Sequence, residues 1–168
     1  MVRRFHQFYG DTFVEPQPLL TSVPRLPGLD NRKMSKSYNN TIDLSDDAKT
    51  VQAKVRQMYT DPKRVRADIP GTVEGNPVFM YHDAFNPDRA EVDDLKARYR
   101  AGAVGDVEVK TKLARAMNAA LEPLRERRRA VTARPDQIRD IAVEGSRKAR
   151  VLAQATMERV RDAVKLRY

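Results

Sequence analysis

The chain has no cysteine, so disulfides and thiolate metal sites are excluded and a cytoplasmic setting is the expected one. Only two histidines occur, His6 and His82, in unrelated contexts. Neither a histidine-based metal centre nor a Ser-His-Asp triad is therefore expected, and no residue is assigned as a metal ligand. No apolar run approaches the roughly 18 residues of a membrane span, and the opening MVRRFHQFYG lacks the apolar core of a secretory leader. A membrane partner is not expected. The phosphate-binding pattern GxxxxGK[ST] is also missing, which removes the P-loop hydrolases from consideration.

What is present is polar but not disordered: 168 residues, 40% hydrophobic and 33% charged. That length supports one good core, or one domain with part of another. The net charge of +9 is unevenly placed. Residues 1–108 hold 16 Lys or Arg against 16 Asp or Glu, whereas residues 109–168 hold 16 against 7. The whole excess lies in the last 60 residues. It fits a polyanion partner such as nucleic acid or an anionic surface, and equally a solvated helix face.

Hydrophobic spacing predicts a mainly helical protein. Val2, Phe5, Phe8 and Tyr9 share helical spacing, with Gly10 as the stop. Asp11 to Pro18 reads as extended, and Leu19 to Val23 as a strand or strand edge. Ser45, Asp46 and Asp47 open a helix whose apolar face is Leu44, Ala48, Val51, Val55 and Met58, and Thr60-Asp61-Pro62 closes it. Pro77 starts a segment through Phe79, Tyr81 and Phe85, for which core packing is favoured over base stacking. Another helix spans Pro87 to Tyr99, ended by Gly102 and Gly105. The longest, Asp106 to about Val131, carries Val109, Leu113, Ala116, Met117, Ala120, Leu121 and Leu124 as a buried stripe, with a kink or break expected at Pro123. A short helix over Pro135 to Val143 and a separate final one complete the chain.

One segment stands apart: DNRKMSKSYNN, Asp30 to Asn40, with three cations, three hydroxyls and three asparagines. Lys33 and Lys36 sit three residues apart on a polar loop, where two ammonium groups can close on one polyphosphate from the same side. Backbone N–H groups and the hydroxyls of Ser35 and Ser37 can serve further phosphate oxygens. Cations placed where a leaving group gains charge lower a barrier, because the attraction grows along the reaction. An inert polar turn is the plain alternative.

KMSKS at Lys33 to Ser37 is the second signature of the class I aminoacyl-tRNA synthetases. The surrounding text, PRLPGLDNRKMSKSYNNTIDL, TDP at Thr60, NPVFMYHDAF, GDVEVK, LEPLRERRR and ATMERVRDAVKL, resembles the bacterial tryptophanyl-tRNA synthetases over nearly the whole chain. The tyrosyl enzymes are the sister group. The resemblance implies ATP-dependent activation of tryptophan to the adenylate and transfer to tRNA(Trp). Lys33 and Lys36 would grip the ATP phosphates and stabilise departing pyrophosphate; Met34, Ser35 and Ser37 would bind ATP, and Pro24, in the lead-in with Val23, would lie near the adenine. Mg²⁺ would accompany the ATP. The family's helical domain binds the anticodon arm, which makes Arg125, Arg127, Arg128 and Arg129 candidate phosphate contacts. Members are usually homodimers.

The same resemblance implies that residues 1–43 are the end of a Rossmann (α/β) catalytic domain and residues 44–168 a helical bundle of the anticodon-binding type. Class I enzymes need a HIGH-type motif. Neither HQFY at His6 nor HDAF at His82 resembles one, so this sequence is expected to be the C-terminal half of an enzyme, inactive alone, with the tryptophan pocket upstream. The alternative function is a non-catalytic tRNA-binding helical module derived from a synthetase. Glycine is usual in the family where Asn31 and Asn39 stand, and cysteine is common where Asp106 stands. Asparagine is the residue that best tolerates left-handed backbone after glycine.

Overall fold

Capping side chains set the helix boundaries. The computed structural model describes residues 1–166 and contains six α-helices: α1 (Val2–Tyr9), α2 (Ala48–Arg56), α3 (Pro77–Phe85), α4 (Arg89–Arg100), α5 (Asp106–Thr132) and α6 (Pro135–Ala163), with a 3-10 turn at Lys36–Tyr38. Asp47 caps α2 by accepting the Thr50 N–H at 2.7 Å, and that bond, before any other influence, holds its carboxyl below the usual range. Asn76 caps α3 through the Val78 N–H, with Pro77 in the first turn where its missing N–H costs nothing. Asp88 accepts the Glu91 N–H to cap α4. At the far end of α4, Gly102 takes φ 70°, and the N–H groups of Gly102 and Ala103 return to the carbonyls of Tyr99 and Arg98. This Schellman arrangement satisfies two carbonyls that the helix leaves open.

The chain forms two compact units: Thr21–Arg128, and Met1–Leu20 together with the chain from Arg129 onward. In the first unit, Val51 and Val55 of α2, Leu95 of α4 and Leu113 of α5 are completely buried, joined by Met58, Phe79, Tyr81, Tyr99, Val109 and Met117. Each such side chain contributes about 1.5–3 kcal/mol by leaving water. Phe79 meets Tyr99 edge to face at 4.9 Å. In the second unit, α1 and α6 contain no buried residue. Phe5 packs on Tyr9 and Phe13, and the His6 Nε2 accepts the Phe13 N–H at 3.1 Å.

Several expectations change. No strand forms among the described residues, so the one read at Leu19 to Val23 is absent; Pro16, Pro18 and Pro24 remove donors there, and the segment is largely exposed. The helix does not break at Pro123: α5 runs through it. Both Pro123 and Ala119, whose carbonyl loses its partner, face solvent, so water can take the orphaned acceptor. The two final helices are one, α6, because Gly145 is tolerated within it at a cost of about 1 kcal/mol. Leu44 and Ala48 are exposed, since α2 starts later and buries Val51, Val55 and Met58. Ala120 and Leu124 likewise lie outside the buried stripe of α5. Phe79 and Tyr81 are core residues, as expected, and Phe85 packs against that core.

Candidate functional site

The loop carrying Lys33 and Lys36 is built around a buried asparagine. Asn40 is 4% exposed. Its Nδ2 donates to Asp30 Oδ1 at 2.8 Å and to the Lys33 carbonyl at 3.1 Å, while its Oδ1 accepts the Ser35 N–H at 2.9 Å. Its backbone carbonyl accepts the Leu29 N–H, so the two ends of the loop are tied together. A Cβ on Gly28 would collide with the Asn40 amide, which explains glycine there by close approach. Asp30 also accepts the Arg32 N–H at 3.1 Å and Nε at 2.7 Å. Its carboxyl is lowered to about 2, first by the Asn40 amide and then by Arg32.

Lys33 and Lys36 are exposed, and among the described residues neither ammonium has a hydrogen-bond or ion-pair partner. Ser35 and Ser37 hydroxyls are 2.7 Å apart, and Met34 packs against the core. The 3-10 turn Lys36–Tyr38 ends at Asn39 with φ 50°, and Asn31 has φ 65°. Both asparagines thus adopt the left-handed backbone that glycine favours. Arg32 lies 5.1 Å over the Tyr38 ring, which places that aromatic against a cation of its own loop. Pro24 is exposed in the extended lead-in.

Behind the loop, the Tyr81 hydroxyl donates to the Pro27 carbonyl at 2.8 Å, and the Tyr59 N–H donates to the Leu29 carbonyl at 2.7 Å. Burial pushes the Tyr81 phenol up to about 12, so it stays a donor. Asp106 accepts from Arg64 at 3.1 Å and from the Tyr99 hydroxyl at 3.0 Å. His82 is completely buried; one ring nitrogen lies 3.0 Å from the Val109 carbonyl and burial lowers its pKa, a packing role.

The four candidate arginines of α5 divide. Arg125 is 8% exposed, and its guanidinium donates to the Asp46 carbonyl, Glu122 and Asn118. It fastens α5 to the segment before α2. Arg127, Arg128 and Arg129 are exposed. Among the described residues no three His, Cys, Asp or Glu side chains gather as a cation site, and Asp30, the carboxylate of the loop, is taken up by Asn40 and Arg32.

A family model described as tRNA synthetases class I (W and Y) matches residues 1–122. This chain belongs to that family. Within it, the chain is 53% identical over 167 residues to the tryptophan–tRNA ligase of Treponema pallidum, covering 99% of this chain and 50% of that protein. It is 46% identical over 166 residues to the Aquifex aeolicus tryptophan–tRNA ligase, with 99% and 42% coverage. The crystal structure of the Campylobacter jejuni tryptophanyl-tRNA synthetase complexed with ADP and tryptophan aligns with TM-score 0.71 at 27% identity, covering 98% of this chain and 51% of that one. The chain spans about half the length of the curated relatives it matches. No helix among the described residues is long and apolar enough to cross a membrane.

Sequence reasoning singled out the lysines and serines but not Asn40, Asp30 or Gly28 as their support. The signal was present, since Asn40 closes the same polar segment, but only its burial separates it from the exposed Asn39.

Proposed function

We propose that this chain is the C-terminal part of a tryptophan–tRNA ligase, acting in the cytoplasm with MgATP, tryptophan and tRNA(Trp) as substrates. The observation that carries the reading is a KMSKS loop whose backbone is held from beneath while both ammonium groups stay without internal partners. In adenylation, a carboxylate oxygen of tryptophan bonds to the α-phosphorus as the bond to the pyrophosphate oxygen breaks. Lys33 and Lys36 meet the charge that builds on the leaving pyrophosphate, with Met34, Ser35 and Ser37 as further ATP contacts and Pro24 beside the adenine. Mg²⁺ travels with the nucleotide phosphates.

On the same reading, residues 1–43 end a Rossmann catalytic domain, residues 44–168 form the helical tRNA-binding part, and the whole enzyme is a homodimer. Arg127, Arg128 and Arg129 contact tRNA phosphates, while Arg125 positions their helix. Tryptophan-dependent ATP–pyrophosphate exchange by the full-length enzyme that contains these residues tests the reading; exchange driven by tyrosine instead, or by neither amino acid, contradicts it. Neutralising Arg127, Arg128 and Arg129 together is expected to flatten the slope of log affinity for tRNA against log salt, and an unchanged slope removes them from the interface.

A further inference from the structure

We infer that Asn40 is a positioning residue for Lys33 and Lys36, setting their backbone so that both ammonium groups address the same phosphates; this rests on the ATP-handling reading of the loop. The argument is geometric. Nδ2 of Asn40 fixes the carbonyl of Lys33, and Oδ1 fixes the N–H of Ser35, so the peptide groups on either side of Met34 are locked by one side chain. Ser35 immediately precedes Lys36 and the 3-10 turn, and its carbonyl accepts the Tyr38 N–H at 3.1 Å. The direction in which each lysine leaves the backbone is therefore fixed by the same amide. Asp30 in turn accepts from Nδ2 and fixes which end of the amide faces which partner.

The chemistry of the choice is also informative. A carboxylate at position 40 would offer the two lysines an anion and compete with phosphate; a neutral amide holds the loop without doing so. The one carboxylate in the cluster, Asp30, is occupied by Arg32 at 2.7 Å rather than by Lys33 or Lys36. Gly28 leaves the space in which the Asn40 amide lies.

The test uses the full-length enzyme that contains these residues and follows single-turnover adenylate formation. Asn40→Ala is expected to slow that step about tenfold to a hundredfold, the size of effect that misplacing reacting groups by about an ångström produces, with the apparent affinity for tryptophan unchanged. In a Lys33→Ala/Lys36→Ala background, adding Asn40→Ala should cost less than about twofold, because a residue that acts through the lysines has nothing left to position. Asn40→Asp, of equal volume, keeps the acceptor for Ser35 and loses the donor to Lys33; it is expected to slow the step too, with partial rescue by Asp30→Asn, which restores a donor between the pair. Should Asn40→Ala fail to fold, Asn40→Asp and its rescue carry the test. A full multiplicative loss in the lysine-free background, or a weakened tryptophan affinity at normal rate, overturns the positioning role. If Lys36→Ala is slow while both Asn40 variants are normal, the ATP reading survives and this inference alone fails. If the full-length enzyme that contains these residues forms no adenylate, both fail together.

Discussion

Residues 28–40 and 57–76 are both irregular, both rich in cations and both packed on the core of the same unit, yet they place their charges in opposite ways. In the second stretch one cation, Arg64, is inside, while Lys63 and Arg66 are exposed. The Arg64 side chain is 0% exposed and lies 4.0 Å over the Tyr99 ring; it donates to Asp106 and to the carbonyls of Ile69, Ala67 and Val104. Lys110 reaches in from α5 to the Met58 carbonyl at 2.6 Å and the Thr60 hydroxyl at 2.7 Å. In the first stretch an uncharged amide is inside and the cations point out. A buried cation with all three of its nitrogens engaged organises a loop but is spent on it. Holding a loop by a neutral side chain leaves its lysines available to a ligand. Residue type alone does not separate these uses; burial and partners do.

The largest effect should come from the buried cation. Arg64→Leu leaves three carbonyls without this partner and Asp106 with only the Tyr99 hydroxyl, and a loss of about 3–5 kcal/mol of unfolding free energy is expected in chemical denaturation. A loss below about 1 kcal/mol would mean that this stretch is held by its apolar contacts instead. Next comes backbone strain in the other stretch. Asn39→Val puts a β-branched residue at φ 50° and is expected to cost about 1–2 kcal/mol, whereas Asn39→Gly should stay within about 1 kcal/mol of the parent in thermal unfolding. Equal stability of the two variants would show that the turn relaxes freely.

The smallest difference concerns acid. Each stretch has an anchoring aspartate held below its ordinary value of 3.8: Asp61 chiefly by the Lys63 and then the Thr72 N–H, Asp30 chiefly by the Asn40 amide. A depressed carboxyl contributes stability in full above its unfolded pKa and loses it as pH falls through the folded value. Both anchors should therefore weaken as pH drops from about 4. Asp61→Asn, by removing one of them, should reduce the pH dependence of stability below that point. An unaltered pH profile would separate Asp61 from acid sensitivity.

How much of this could be read from the sequence depends on how local each determinant is. Helix caps at Asp47 and Asn76, the proline at the start of α3 and the glycine after α4 act within a few residues, and their helices form close to where spacing placed them. The KMSKS segment stands out in the sequence because its residues are contiguous, and the structure leaves Lys33 and Lys36 exposed. The strand expected at Leu19 to Val23 does not form because pairing needs a neighbour that this segment does not meet, and the two helices expected after Pro135 are the single α6. Arg125 was grouped with Arg127, Arg128 and Arg129 by sequence, although helical rotation turns it inward to Asp46 and Asn118. Asn40 was invisible as a support because its partners are defined by the loop's path rather than by spacing.

The central claim is that Lys33 and Lys36 are free to act on the departing pyrophosphate, and single-turnover adenylate formation in the full-length enzyme that contains these residues, across tryptophan and ATP concentrations, tests it most directly. Lys33→Ala or Lys36→Ala is expected to lower the rate by about 10²–10³, which is about 3–4 kcal/mol, as for loss of one preorganised donor to developing charge, with tryptophan affinity unmoved. Arginine at either position should rescue only in part, because a planar fork does not replace a compact ammonium. A normal single-turnover rate in either alanine variant, with tryptophan binding weakened instead, would contradict the account.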